Sequence, residues 1–156
     1  MIMVAGVCCM VQVAKDIRTL HLPAKELAPS EAVLMETPHC IVHYRTGRPL
    51  RFWDAVGGKL VMTSHRLVFI AHHGQPWCYR IVLPLEEIAR AEGTDEMRGF
   101  PGMLRVITVA GKRELFAFGA IRELDANRWA AAILHARYRL NPEWGASDET
   151  SQGIGH

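Results

Sequence analysis

Residues 57–88, GGKLVMTSHRLVFIAHHGQPWCYRIVLPLEEI, decide the fold. Residues 59–63 alternate, with Leu60 and Met62 on one side and Val61 and Thr63 on the other. Ser64-His65 is a polar break, after which residues 66–71 alternate again and set Leu67 and Phe69 against Val68 and Ile70. Residues 72–76, HHGQP, supply a second turn, and residues 77–83 form a third run rich in β-branched and aromatic side chains. Pro84 has no N–H to give to a ladder, so it ends the third strand. Period-two alternation bounded by Gly and Pro predicts a strand meander and poorly suits a helix.

Upstream of this meander, residues 32–44 read as one strand carrying Val33, Met35, Cys40, Val42 and Tyr44, with Pro38 marking an edge or bulge. Residues 45–51 form a loop with Thr-Gly-Arg-Pro turn chemistry. Residues 50–56, with Phe52 and Trp53, return as a strand or strand-like arm, and Gly57 and Gly58 read as turn glycines. Downstream, residues 89–94 make a further strand. Residues 103–109 and 114–118 pair as a hairpin across Ala110-Gly111-Lys112. From Ile121 the period changes. Leu124, Trp129, Ala132, Ile133, Ala136 and Leu140 fall near helical spacing, with Arg122, Glu123, Arg137 and Arg139 toward water. That predicts an amphipathic helix of about four to five turns, stopped at Asn141-Pro142.

About seven strands followed by one helix exclude a doubly wound sheet. The expected fold is mainly β: a bent antiparallel sandwich or partly open barrel, capped by a C-terminal amphipathic helix with Trp129 as its plug. The expected organisation is an N-terminal apolar arm and lead-in over residues 1–29, one domain over 30–140 and a disordered polar tail over 141–156.

Gly58, Leu60, Thr63, Arg66, Leu67, Val68 and Phe69, taken together, resemble the signature of the GRAM domain, a relative of the pleckstrin-homology (PH) fold. The segment 81–88, IVLPLEEI, resembles that family's step of strand, Pro-Leu, acidic pair and Ile. Gly111-Lys112-Arg113 and Phe116-Ala117-Phe118 are similar to its last hairpin, and Trp129 sits where its closing helix carries a Trp. The resemblance implies a PH-like architecture and a non-enzymatic binding module. It also implies that the loop between the first two strands forms the rim of a site for a phosphorylated headgroup.

The 156 residues suit one domain, and 49% apolar with 22% charged residues is ordinary for a globular protein. A net charge of +2, with no dense basic run, gives no reason to expect a nucleic-acid partner. Cys8, Cys9, Cys40 and Cys78 contain no CxxC pair and form no disulfide framework, so free thiols in the reducing cytoplasm are expected. Residues 1–14 are almost wholly apolar but shorter than the ~18 residues a spanning helix needs. No basic residue precedes them, which argues against a secretory signal. An extra strand, a membrane-touching arm and a misplaced start remain open for them.

The sequence has no P-loop, dinucleotide fingerprint, nucleophile elbow or HExxH, so neither catalysis nor a cofactor is expected. Ser64-His65 reads as a turn dipeptide, because a nucleophile needs an oriented base. His39, Cys40 and His43, and His72, His73 and Cys78, lie close in sequence but match no zinc spacing, so no metal is expected. The basic residues Arg45, Arg48 and Arg51, followed by Lys59, are the candidate lipid-headgroup site. Arg suits that role because its planar fork engages two phosphate oxygens at once. The expected function is peripheral recognition of anionic lipid headgroups at a membrane surface. The alternative is a protein-interaction module that uses an exposed strand edge or the groove between sheet and helix.

Overall fold

The alternation of the central meander becomes a hydrogen-bonded ladder in the computed structural model, which describes residues 22–37, 41–44, 55–72, 80–94, 102–118 and 123–143. Eight strands are present among the described residues: β1 (Val33–Glu36), β2 (Ile41–Tyr44), β3 (Ala55–Thr63), β4 (Arg66–Ala71), β5 (Arg80–Pro84), β6 (Ile88–Thr94), β7 (Met103–Thr108) and β8 (Arg113–Ala117). Among those residues one α-helix, α1 (Glu123–Leu140), follows them. The strands pair in the order β5-β4-β3-β2-β8-β7-β6, with β1 on β3, and each pairing is antiparallel. This is the mainly β architecture with a closing helix that the element order predicts.

Both faces of the meander are covered, which is why its sequence is apolar on both. Leu60, Met62, Leu67 and Phe69 join Leu83, Ile88, Leu104, Val106 and Phe116 in the main core, which α1 closes with Ala126, Trp129, Ala130, Ile133 and Ala136. Val61, Val68 and Ile70 turn the other way and pack under Leu22 and Leu27 of the lead-in. A third cluster joins Tyr44, Met103, Leu115 and Ala117.

Three details differ from the sequence reading. The single strand expected over residues 32–44 is two, because Thr37 breaks the ladder and replaces it. Its N–H donates to the Leu60 carbonyl at 2.9 Å, and its hydroxyl accepts from the Leu60 N–H at 3.0 Å. Arg137, expected in water, is only 4% exposed. It lies four residues past Ile133 and seven past Ala130, on the buried stripe, where an aliphatic stem packs as well as a shorter apolar side chain.

Gly57 and Gly58, expected in a turn, are mid-strand. Gly58 pairs with Ile41 on one side and Ala71 on the other. A Cβ on Gly58 would lie 2.3 Å from the Ile70 carbonyl oxygen and 2.6 Å from the Phe69 ring. The glycine is there because Phe69 fills that volume. Gly58→Ala therefore overpacks a spot bounded by backbone, and a loss of about 3 kcal/mol is expected in urea unfolding. A loss under ~0.5 kcal/mol would show that the Phe69 ring moves aside freely.

Candidate functional site

Arg45, Arg48 and Arg51 lie outside the described residues, but the strand that leads into them does not. Tyr44, the last residue of β2, pairs with Leu115, two positions past Arg113 at the start of β8. The turn from β7 to β8 projects beyond that pair. Its Gly111 adopts φ +79°, a left-handed conformation that suits glycine. Val109, at this turn, is 65% exposed. The Lys112 side chain is largely exposed and its ammonium lies 2.7 Å from Glu114 Oε1. The Val109 N–H donates to the Glu87 carbonyl at 2.7 Å, which brings the exposed acidic pair Glu86-Glu87 beside the same turn.

Lys59 is placed differently from the sequence expectation. It is 3% exposed, and its Nζ lies 3.0 Å from Glu36 Oε1 on the neighbouring strand. Its charge is therefore committed inside the domain rather than offered at a rim.

Beneath the turn, Glu114 links surface to core. Its Oε2 is 2.6 Å from His43 Nε2, and both side chains are buried. The His43 ring rests against Phe69 and Phe116, with centroids 5.5 and 5.1 Å away. Burial opposes ionisation of Glu114, but hydrogen bonds from His43 and Lys112 outweigh it and hold the carboxyl below its ordinary range.

A second node lies at the opposite end of β3. The Thr63 hydroxyl donates to Glu31 Oε1 at 2.6 Å and accepts from the Arg66 N–H at 3.0 Å. Arg66 closes on Glu31 through Nε at 2.8 Å and Nη2 at 3.1 Å, and Nη2 also donates to the Glu26 carbonyl at 2.6 Å. Thr63 and Arg66, two of the residues that carry the family resemblance, are thus a structural clasp between the β3–β4 turn and the lead-in. Ser64 and His65 belong to the same turn. The Ser64 hydroxyl accepts the Ala32 N–H at 3.1 Å and lies 2.9 Å from His65 Nδ1.

Against this clasp opens a cleft of about 520 Å³, lined by the lead-in, the β3–β4 turn, the 3-10 turn Leu85–Glu87 and the last residue of α1. Leu27, Pro84 and Leu140 give it apolar surface; Glu26, Glu31 and Glu86 give it carboxylates. No local sequence signal marks it, because its residues span positions 26 to 140.

Among the described residues no group of three His, Cys, Asp or Glu side chains is placed to hold a metal ion. His39, Cys40, His73 and Cys78 lie outside those residues. No described helix is long and apolar enough to cross a membrane.

No family model and no curated protein sequence matches the chain. Solved structures do. The Vps36 N-terminal PH domain superposes with a TM-score of 0.55 at 16% identity, over 73% of this chain and 84% of that one. The C-terminal domain of an unknown protein from Leishmania infantum gives 0.50 at 15% identity, over 67% and 85%. A linker-DH/PH fragment of p115-RhoGEF gives 0.53 at 11% identity, covering 85% of this chain but 39% of its own length. At such identities the likeness is one of fold, and it defines the class of architecture: this chain has a PH-like fold.

Proposed function

We propose that this PH-like domain is of the GRAM type and is a non-catalytic module that binds anionic lipid headgroups at a membrane surface. Arg45, Arg48 and Arg51 supply the charge. The observation that supports the reading is the register of Tyr44 on Leu115, which ends β2 at the end of the sheet that bears Arg113, Lys112 and the exposed Val109. An aliphatic side chain on a turn, with cations behind it, suits the interface between headgroups and acyl chains. Glu86 and Glu87 beside that turn offset Lys112 and Arg113, so the net positive charge must come from the three arginines. Lys59 has no part, since its ammonium is held by Glu36.

Flotation of the full chain with phosphatidylcholine vesicles, with and without phosphatidylserine, tests this. Binding is expected only with the anionic lipid and is expected to fall with salt. Each arginine near such a surface contributes about 1 kcal/mol, so replacing all three with Ala is expected to weaken binding by about two orders of magnitude. Unchanged flotation of the triple variant removes the reading. A module that takes a peptide by strand addition would instead keep its affinity as salt rises.

A further inference from the structure

The cleft beside the Glu31–Arg66 clasp has a composition that the membrane reading does not use. Its apolar surface comes from three separate elements: Leu27 of the lead-in, Pro84 at the end of β5 and Leu140 at the end of α1. Leu140 is 43% exposed, although it closes an otherwise buried helical stripe. The charges around this surface are unevenly committed. Arg66, the cleft's guanidinium, is taken up by Glu31 and by the Glu26 carbonyl. Glu26 is shared with Arg80. Glu86 is exposed on its 3-10 turn and has no ion pair among the described residues.

Apolar ground edged by an uncommitted carboxylate selects a partner that combines aliphatic and cationic side chains. The volume of about 520 Å³ is within the range of formed binding sites. Its open shape suits a short segment of chain rather than an enclosed small molecule. We propose that this cleft binds an extended basic peptide, with aliphatic side chains on Leu27, Pro84 and Leu140 and a Lys or Arg at Glu86. The site goes beyond the membrane reading and does not depend on it, so either can fail alone.

The test uses the full chain and a fluorescein-labelled octapeptide of alternating Leu and Arg, with a Leu/Glu octapeptide of the same length as comparator, read by fluorescence anisotropy. The Leu/Arg peptide binds and the Leu/Glu peptide does not. Glu86→Lys weakens binding about tenfold, because a like charge replaces the attractive one. Leu140→Ser, which removes the aliphatic contact without adding charge, weakens it similarly and leaves vesicle flotation unchanged. Both positions are exposed, and an unchanged melting temperature confirms that each variant folds. Amide shifts on titration with the Leu/Arg peptide cluster at Leu27, His65 and Glu86. Equal affinity for the two peptides overturns the proposal. So does affinity unaffected by Glu86→Lys and Leu140→Ser, or a shift pattern centred elsewhere.

Discussion

Arg66→Ala is expected to cost about 2 kcal/mol of stability at pH 7, and most of that difference is expected to vanish in acid. The Glu31 side chain is only 3% exposed, so burial by itself opposes its ionisation. The hydrogen bonds from Arg66, from Thr63 and from the Ala28 N–H, with the charge of Arg66, overcome this and hold its carboxyl at about 2 against an ordinary 4.5. A carboxyl depressed in the folded state contributes stability above its unfolded value and loses it as pH falls through its folded value. The window is therefore from about 4.5 down to about 2. The shift corresponds to an upper bound of about 3 kcal/mol, reduced somewhat by the partial exposure of Arg66. Without Arg66, Glu31 keeps the Thr63 hydroxyl and the Ala28 N–H but faces its burial with no counter-charge.

Urea unfolding of wild type and Arg66→Ala at pH 7 and pH 3 separates charge from packing. A gap of about 2 kcal/mol at pH 7 that narrows markedly at pH 3 assigns the effect to the ion pair. An equal gap at both pH values would instead assign it to lost contacts of the Arg66 stem. Glu114 is also depressed, with the same sign, so wild type itself weakens as pH falls below the ordinary carboxylate range.

Much of this fold was legible because its strongest signals are local. Alternation over residues 59–71 names both faces of β3 and β4, and the helical spacing from Leu124 to Leu140 names α1. What escaped depends on partners far along the chain. The break at Thr37 exists because Leu60 on a neighbouring strand exchanges hydrogen bonds with its side chain. Lys59 looks like a surface cation until Glu36, 23 residues earlier, is beside it. Gly58 looks like a turn residue until the Phe69 ring lies over it. The candidate lipid site was read from three arginines in one loop, a pattern visible without any partner. The cleft was not visible, since it exists only where the lead-in, two turns and the helix end meet.

The same reasoning predicts that Trp129→Ala will be the most damaging single change in α1, at about 4 kcal/mol. Trp129 is 4% exposed and tilts its ring against Phe118, with centroids 6.0 Å apart. Its buried neighbours on the helix are Ala126, Ala130, Ile133 and Ala136. Removal of the indole therefore opens a void that three alanines cannot fill. Ile133 is fully buried with a side chain stiff at its first torsion, so it cannot easily swing into the space. The cost is the lost transfer energy plus most of the cavity term, because the site has little means of collapse. Guanidinium unfolding is expected to show a lower midpoint with an unchanged slope, which reports lost stability without a change of surface exposed. Leu140→Ala, at a half-exposed position on the same helix, is expected to cost no more than ~0.5 kcal/mol. If Trp129→Ala costs less than ~1 kcal/mol, the helix is an appendage that the sheet can do without. If it costs about four, the helix is what closes the open corner of the sheet, and the core of this domain is completed only when its last element docks.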